Sequence, residues 1–204
     1  MSGGISKKVS LTIKDRNTFN GLQGILHPLK QTNGIEFPYT PTIGIGHSAN
    51  YGQHDIVHSV SQPNYYINTP NPTIGITAQF TANDLEEAKY TSAALHFLKS
   101  CTKGEFGERA GDLAGMPPPI LILNAYGLLH AERVPVVVGN VSYNLTEDVD
   151  YVEFDNPGTG KIILPTTMLM TIDLKIQQTP RQVRENFDAT SYANGSLLRN
   201  GGFM

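Results

Sequence analysis

The 204-residue sequence has little of what marks several common protein classes. Its single cysteine, Cys101, excludes an internal disulfide framework and a zinc site built from cysteines. The formal net charge is −3, so the chain lacks the excess of basic residues that is typical of nucleic-acid-binding proteins. The longest apolar runs, 119–123 and 134–138, are too short to cross a bilayer, so we expect no membrane association. No apolar stretch follows Lys7 and Lys8, and we therefore expect no secretion signal.

Charge is also scarce, whereas glycine and proline are abundant. Only 16% of the residues are charged, against about 25% in typical soluble domains. The chain contains 20 glycines and 13 prolines, a composition typical of turn-rich β structure whose surface faces partners. The length fits one domain over residues 1–204. We expect an N-terminal tail at 1–8, a proline-punctuated arm at 37–72 that cannot form a continuous helix, and a polar C-terminal tail at 182–204.

Apolar and polar residues alternate, or β-branched residues cluster, in seven segments, and this pattern predicts strands. Residues 15–41 have no sustained period and are expected to be loop with short extended pieces. The fold class is mainly β (α+β), an antiparallel β-barrel or sandwich. The predicted strands are Val9–Ile13, Thr73–Phe80, Ile120–Leu129, Val134–Tyr143, Tyr151–Phe154, Lys161–Leu164 and Met168–Ile176.

One flanking α-helix is predicted at about residues 82–102. Thr81 and Asp84 have the spacing of a capping box at its beginning. Lys99 lies near its far end, where the helix dipole favours cations, and Gly104 ends it. Two apolar stripes at helical spacing indicate a helix that is contacted on more than one side.

The histidines offer one candidate metal site. His47, His54 and His58 fall within twelve residues and could place three imidazoles on one ion. No helical or strand period aligns the three rings, which favours hydrogen-bonded or interface histidines. The sequence contains neither a phosphate-binding glycine loop nor a Gly-x-Ser-x-Gly nucleophile motif. We therefore expect no catalysis and no cofactor.

An ordered series of short motifs over residues 37–176 resembles a known family. The motifs are Phe37-Pro-Tyr-Thr-Pro41, Ala49-Asn-Tyr51, His58-Ser59, Tyr65-Tyr-Ile-Asn-Thr69, Ile74–Thr81, Glu87-Ala-Lys-Tyr90, His96-Phe-Leu98, Gly115-Met-Pro-Pro-Pro119, Ala125-Tyr-Gly127, Val134-Pro135 and Asp148-Val-Asp-Tyr151. In this order they resemble the baseplate tail-tube proteins of contractile-tailed bacteriophages, that is, the tube initiator and tube-junction (tube cap) subunits.

The resemblance implies a structural virion protein with the tail-tube type of barrel or sandwich. Six copies would form a homo-hexameric ring in the tail baseplate, made in the cytoplasm of the bacterial host. The ring would join the hub and spike to the tail tube and template tube polymerisation, with the sheath as a further candidate partner. Its lumen would let phage DNA pass without binding it specifically. The major tail-tube subunit is an alternative. An alternative of another class is a β-sandwich metal- or carbohydrate-binding protein that uses His47, His54 and His58.

The resemblance also indicates where assembly contacts should lie, namely in the arm and on the last long strand. The strand residues would pack inward on their own subunit or against its neighbour. The predicted assembly residues are Phe37, Pro38, Tyr39, Pro41, Tyr51, Tyr65, Tyr66, Ile172 and Leu174.

Overall fold

A computed structural model describes residues 8–106, 114–127, 130–156, 160–199 and 203–204. Eleven strands lie within these ranges, and seven of them form one antiparallel sheet. The strands are β1 (Ser10–Ile13), β2 (Gly34–Glu36), β3 (Thr42–Gly46), β4 (Asn50–Gln53), β5 (Asn64–Asn68), β6 (Thr73–Thr81), β7 (Leu121–Gly127), β8 (Ala131–Tyr143), β9 (Tyr151–Asn156), β10 (Gly160–Pro165) and β11 (Thr167–Ile176).

The large sheet has the order β2-β1-β7-β8-β11-β6-β3, and β4–β5 and β9–β10 form two separate hairpins. All seven predicted strands are confirmed in position, with ends that differ by a few residues, and residues 128–129 of the predicted Ile120–Leu129 lie outside the described residues. The alternation that predicted β11 is confirmed in its burial pattern. Met168, Met170, Ile172, Leu174 and Ile176 are all buried in the main core. The chain is therefore mainly β with a large antiparallel sheet.

Strand β8 pairs with two neighbouring strands in succession, and a bulge in its second part bends it. Its first part, up to Val136, pairs with β7, and the part from Val136 to Tyr143 pairs with β11. Gly139 is the extra residue of a β-bulge, since Asp173 pairs with Asn140 while Leu174 pairs with Val138. A bulge of this kind bends its strand and increases the local twist.

A hydrogen bond between distant strands requires a curled sheet. The Tyr126 hydroxyl, near the end of β7, donates to the carbonyl oxygen of Pro41, just before β3, at 3.0 Å. Four strand spacings separate β7 from β3 in the sheet order, so the two strands would lie about 19 Å apart if the sheet were flat. A tyrosine side chain cannot span that distance, so the sheet folds back around the core.

The predicted helix is confirmed as α1 (Leu85–Ser100), but its cap differs. The N-cap is Asp84, whose carboxylate accepts the Glu87 amide at 2.8 Å. The expected Thr81 cap was wrong, because Thr81 still belongs to β6 and pairs there with Thr167. The helix packs on the sheet and also on the β9–β10 hairpin, where Ala88 contacts the cluster that contains Phe154. This confirms contacts on more than one side.

Two expectations about irregular regions were wrong in part. Residues 15–41 contain two unexpected pieces, a helical turn at Phe19–Leu22, in which all four φ angles are positive, and a 3₁₀ helix at Gly24–Leu29, whereas strand β2 is one of the expected short extended pieces. The expected C-terminal tail contains α2 (Pro180–Asn186), α3 (Ala189–Ala193) and a 3₁₀ turn at Ser196–Leu198. Local caps explain these helices, since Thr179 and Gln182 form a full capping box.

Of the predicted N-terminal tail, residues 1–7 lie outside the described residues, as do residues 200–202 of the C-terminal tail. The arm at 37–72 contains β3, β4 and β5 and no continuous helix. Within the described ranges, no helix combines the length and the apolar character needed to span a membrane.

Candidate assembly surface

Four strands of the sheet, β3, β6, β11 and β8, present a polar face on the side away from the core. The paired residues Thr42, Thr77, Thr171 and Ser142 form a row of hydroxyl groups across these strands, and all four are exposed or half-buried. The next row consists of Gly44, Gly75, Asp173 and Asn140. The Asn140 amide donates to the Asp173 carboxylate at 3.2 Å. The only charged residues of β3, β6, β11 and the part of β8 from Val136 to Tyr143 are Asp173 and Lys175, so this face is nearly uncharged.

Each side of this four-stranded region ends in a strand whose outer edge pairs with no other strand of the described residues. On one side, β3 pairs only with β6. On the other, β8 beyond Val136 pairs only with β11, because the β7 ladder begins at the pair of Leu121 and Val136. Since neighbouring strands alternate in direction, the two free edges run antiparallel to each other. A free edge exposes backbone donors and acceptors that readily pair with another chain.

The β4–β5 hairpin carries an exposed aromatic cluster. The Tyr51 and Tyr66 rings contact edge to face with centroids 5.9 Å apart, and His54 stacks on Tyr65 at 4.5 Å. Gly52 makes room for this packing, because a Cβ there would lie 2.4 Å from the Tyr65 ring. The three tyrosines remain 64%, 56% and 45% exposed for Tyr51, Tyr66 and Tyr65. At about 200 Å² per side chain, they leave roughly 300 Å² of aromatic surface open.

Aliphatic side chains extend this exposed surface along the same arm. Ile67 is 54% exposed on β5, and the loop between the strands exposes Ile56, Val57 and Val60. Monomeric proteins rarely leave large contiguous apolar patches open, so such a patch marks an interaction site. The tyrosines of this surface are among the assembly residues predicted from the sequence, whereas its aliphatic members are not. The signal for them was the presence of apolar residues in a proline-punctuated polar stretch.

The predicted assembly residues at the beginning of the arm divide into exposed and buried ones. Pro38 and Tyr39 are exposed, and the Tyr39 hydroxyl lies 3.4 Å from the Thr81 hydroxyl. Phe37 is buried and packs its ring against Phe80 with centroids 6.0 Å apart. Pro41 is buried as well, and its carbonyl accepts the hydrogen bond from β7 described above. An interface role for Phe37 and Pro41 is therefore corrected to a role inside the chain.

Ile172 and Leu174 pack inward on their own chain. Both are fully buried in the chain's own core, where Ile172 lies opposite Ile76 on β6 and Val141 on β8. Of the two possibilities considered from the sequence, packing inward on the same subunit is the one observed. Their side chains cannot touch a neighbour without unfolding the sheet.

The structure does not bring the three arm histidines together. Within the described ranges, which include all three, no group of three or more His, Cys, Asp or Glu residues could hold a metal ion. His54 stacks on Tyr65, His47 follows β3 at the base of the arm, and His58 lies in the loop with a φ of +61°. The described geometry therefore gives no support to a site shared by these three histidines, and the metal- or carbohydrate-binding alternative stays a prediction.

Two ionisable groups with a raised pKa, Cys101 and Tyr90, lie in or against the core rather than on this surface. Burial raises the pKa of the Cys101 thiol to about 12, so the thiol is protonated and unreactive at neutral pH. Burial also raises the pKa of Tyr90, whose hydroxyl donates to the Glu36 carbonyl at 2.7 Å and accepts the Glu36 amide at 2.8 Å. These contacts join α1 to β2 and are structural in character.

Comparison with known proteins adds no relative to this description, since neither the protein-family models nor the curated proteins contain a match to the chain. The functional inference therefore depends on the surfaces described above and on the motif series in the sequence.

Proposed function

We propose that the chain is a ring-forming structural protein of the tail-tube class. Six copies form a ring in a phage tail baseplate that joins the hub and spike to the tail tube and templates tube polymerisation. The single observation that carries the proposal is the pair of free, oppositely directed edges on the four-stranded region β3-β6-β11-β8.

The two edges suit head-to-tail pairing between copies. If β8 of one copy pairs with β3 of the next, the new ladder is antiparallel like every other ladder of the sheet. Such a heterologous contact closes into a ring when the rotation between copies allows it. Closure pairs both free edges of the four-stranded region, and such edges are otherwise an aggregation hazard. Each copy contributes four strands, so a hexamer exceeds the roughly 16–18 strands with which porins already enclose an aqueous channel.

The polar sheet face suits the lining of a DNA channel. Lysine and arginine on the wall would bind phosphates and retard passage. Lys175 is the only cation on β3, β6 and β11, and it lies two residues from Asp173 on the same face. The hydroxyl and glycine rows supply a smooth, nearly neutral surface. Phage DNA would therefore pass without specific binding.

The exposed arm suits contacts outside the barrel. Tyr51, Tyr65 and Tyr66 on the hairpin, and Tyr39 before the other end of β3, offer apolar area to a neighbouring copy or to a hub, tube or sheath protein. The virion tail baseplate is the proposed location, reached after synthesis in the bacterial host cytoplasm. The major tail-tube subunit is the nearest alternative. That subunit is expected to stack on copies of itself into long tubes, whereas an initiator or junction ring stops after one layer.

Hydrogen exchange of the backbone amides tests the edge pairing directly. Peptides covering 42–46 and 137–143 should exchange fast in the monomer and become protected in the ring. The peptide 73–81 is the matched control, because β6 is paired on both sides in the monomer already. Rings without new protection at both edges would contradict the pairing.

A further inference from the structure

The free edge of β8 ends at the beginning of β7. Val136 pairs with Leu121 of β7 and with Ile176 of β11, so these two strands lie on opposite edges of β8. The free edge beyond Val136 is therefore the one that β7 occupies further back. Residues 117–119, which lead into β7, are all prolines and have no backbone N–H to donate to a continued ladder. The proline run thus marks the lower end of the free edge.

An exposed apolar patch lies beside this proline run. The Glu105 amide donates to the Met116 carbonyl at 3.0 Å, and the Gly115 amide donates to the Glu105 carbonyl at 2.9 Å. These bonds hold the segment after α1 against the segment before β7. The side chains remain open, with 95% of Phe106 and 52% of Met116 exposed, and Pro117 is exposed as well. We call Phe106, Met116 and Pro117 the β7-entry patch.

Antiparallel pairing of β3 with β8 of the next copy brings the arm to this patch. The last residue of β3, Gly46, then lies toward Val137 of the neighbour, next to the beginning of its β7. Since β7 occupies the edge from there on, the chain after Gly46 has to leave the sheet. Tyr51 follows Gly46 by five residues and Met116 precedes Leu121 by five, and an extended chain covers at most about 18 Å in five residues. The arm of one copy and the patch of the next can therefore meet.

We propose that the exposed tyrosines of the β4–β5 hairpin bind the β7-entry patch of the next copy. This inference rests on the proposed function, which supplies the pairing of β3 with β8. Aromatic surfaces recognise proline-rich segments, and methionine sulfur contacts aromatic rings favourably. The patch therefore has the chemistry that suits Tyr51, Tyr65 and Tyr66.

The area of this contact sets its role. At about 200 Å² per aromatic side chain, Phe106 leaves roughly 190 Å² open. Together with the tyrosines the contact buries about 500 Å², whereas a standard stable interface buries about 1,600 Å² in total. The contact cannot hold two copies together alone, so it strengthens the strand pairing.

Cross-linking in the full-length chain tests the contact. Tyr51→Cys and Met116→Cys in one chain place a thiol on each side of it, while the buried Cys101 stays protonated and unreactive. A short bis-maleimide should then join the copies of a ring into covalent oligomers up to the hexamer. Tyr51→Cys with Leu145→Cys is the matched control and should give no such oligomers. Leu145 is 61% exposed but follows the other end of β8.

A second variant measures the contribution to assembly. We expect Met116→Asp to raise the protein concentration needed for rings roughly tenfold, because a charge replaces an apolar contact residue. The melting temperature of the monomer should not change, since Met116 is exposed. Leu145→Asp adds the same charge away from the contact and should assemble like the original chain.

The outcomes separate the contact from the ring itself. Rings that form at the same concentration from Met116→Asp and from the original chain, without cross-links between positions 51 and 116, would overturn the contact and leave the ring function standing. If no chain forms rings, alone or with hub and tube proteins, both fail, because the contact requires the pairing of β3 with β8.

Discussion

Truncating Ile172 at the centre of β11 should cost the chain much of its stability. Its side chain is 0% exposed and is flanked by Ile76 and Val141 on the neighbouring strands. Removing three buried carbon atoms costs about 2.4 kcal/mol by transfer alone. A cavity between strands fixed on both sides cannot collapse fully, so we expect Ile172→Ala to lower the free energy of unfolding by about 3–4 kcal/mol.

Urea unfolding followed by circular dichroism measures this loss, with similar slopes showing that both variants unfold in the same way. Leu169→Ala is the matched control, since Leu169 lies on the opposite face of β11 and is 56% exposed. It should cost no more than about 0.5 kcal/mol. Equal losses in the two variants would refute the assignment of the core face. Ile172→Asp buries a carboxylate without a partner, so it should abolish folding, and with it any assembly.

Four further predictions concern single positions. Gly34→Ala should destabilise the fold strongly, because φ is +145° and a Cβ would lie 2.2 Å from the Leu11 carbonyl oxygen. Gly44→Ala should instead raise the melting temperature slightly, because its Cβ meets nothing within 4 Å and a strand glycine costs about 0.5–1 kcal/mol. Asp84→Ala should lower the free energy of unfolding by about 1 kcal/mol through loss of the α1 cap, measured in urea. The Cys101 thiol should resist a thiol reagent at about pH 8 in the folded chain and react in urea, since burial raises its pKa to about 12.

Each of these has a clear contrary result. Equal melting temperatures for the two glycine variants would contradict the close approach of β2 to β1. Full stability of Asp84→Ala would mean that another group caps α1. Fast modification of Cys101 in the folded chain would mean that the thiol is not buried, because reactivity follows the thiolate fraction and access.

The central strands were predictable because each buries one face. The period of two along Met168–Ile176 and Thr73–Phe80 follows directly from a sheet with one side on the core. The hairpin β4–β5 was missed for the opposite reason, since both of its faces are exposed and no alternation arises. The sequence also does not tell whether an apolar strand face packs on its own core or on a neighbour, so Ile172 was open to both interpretations.

The turn at Phe19–Leu22 and helices α2 and α3 were not predicted, because the first depends on tertiary contacts and the helices have local caps but no hydrophobic pattern. The turn at Phe19–Leu22 puts non-glycine residues at positive φ, which costs about 1–2 kcal/mol per residue. Only packing makes it favourable, with Phe19 against Phe97 and Leu22 buried. Helices α2 and α3 have good caps at Thr179 and Asp188 but no apolar stripe, so their polar sequence resembled a tail.

Negative-stain electron microscopy of the purified chain, alone and mixed with hub or tube proteins, tests the central claim most directly. The account predicts rings with six-fold symmetry and a central hole, because the β8 edge of each copy pairs with the β3 edge of the next. Uniform small monomers in every mixture would contradict it.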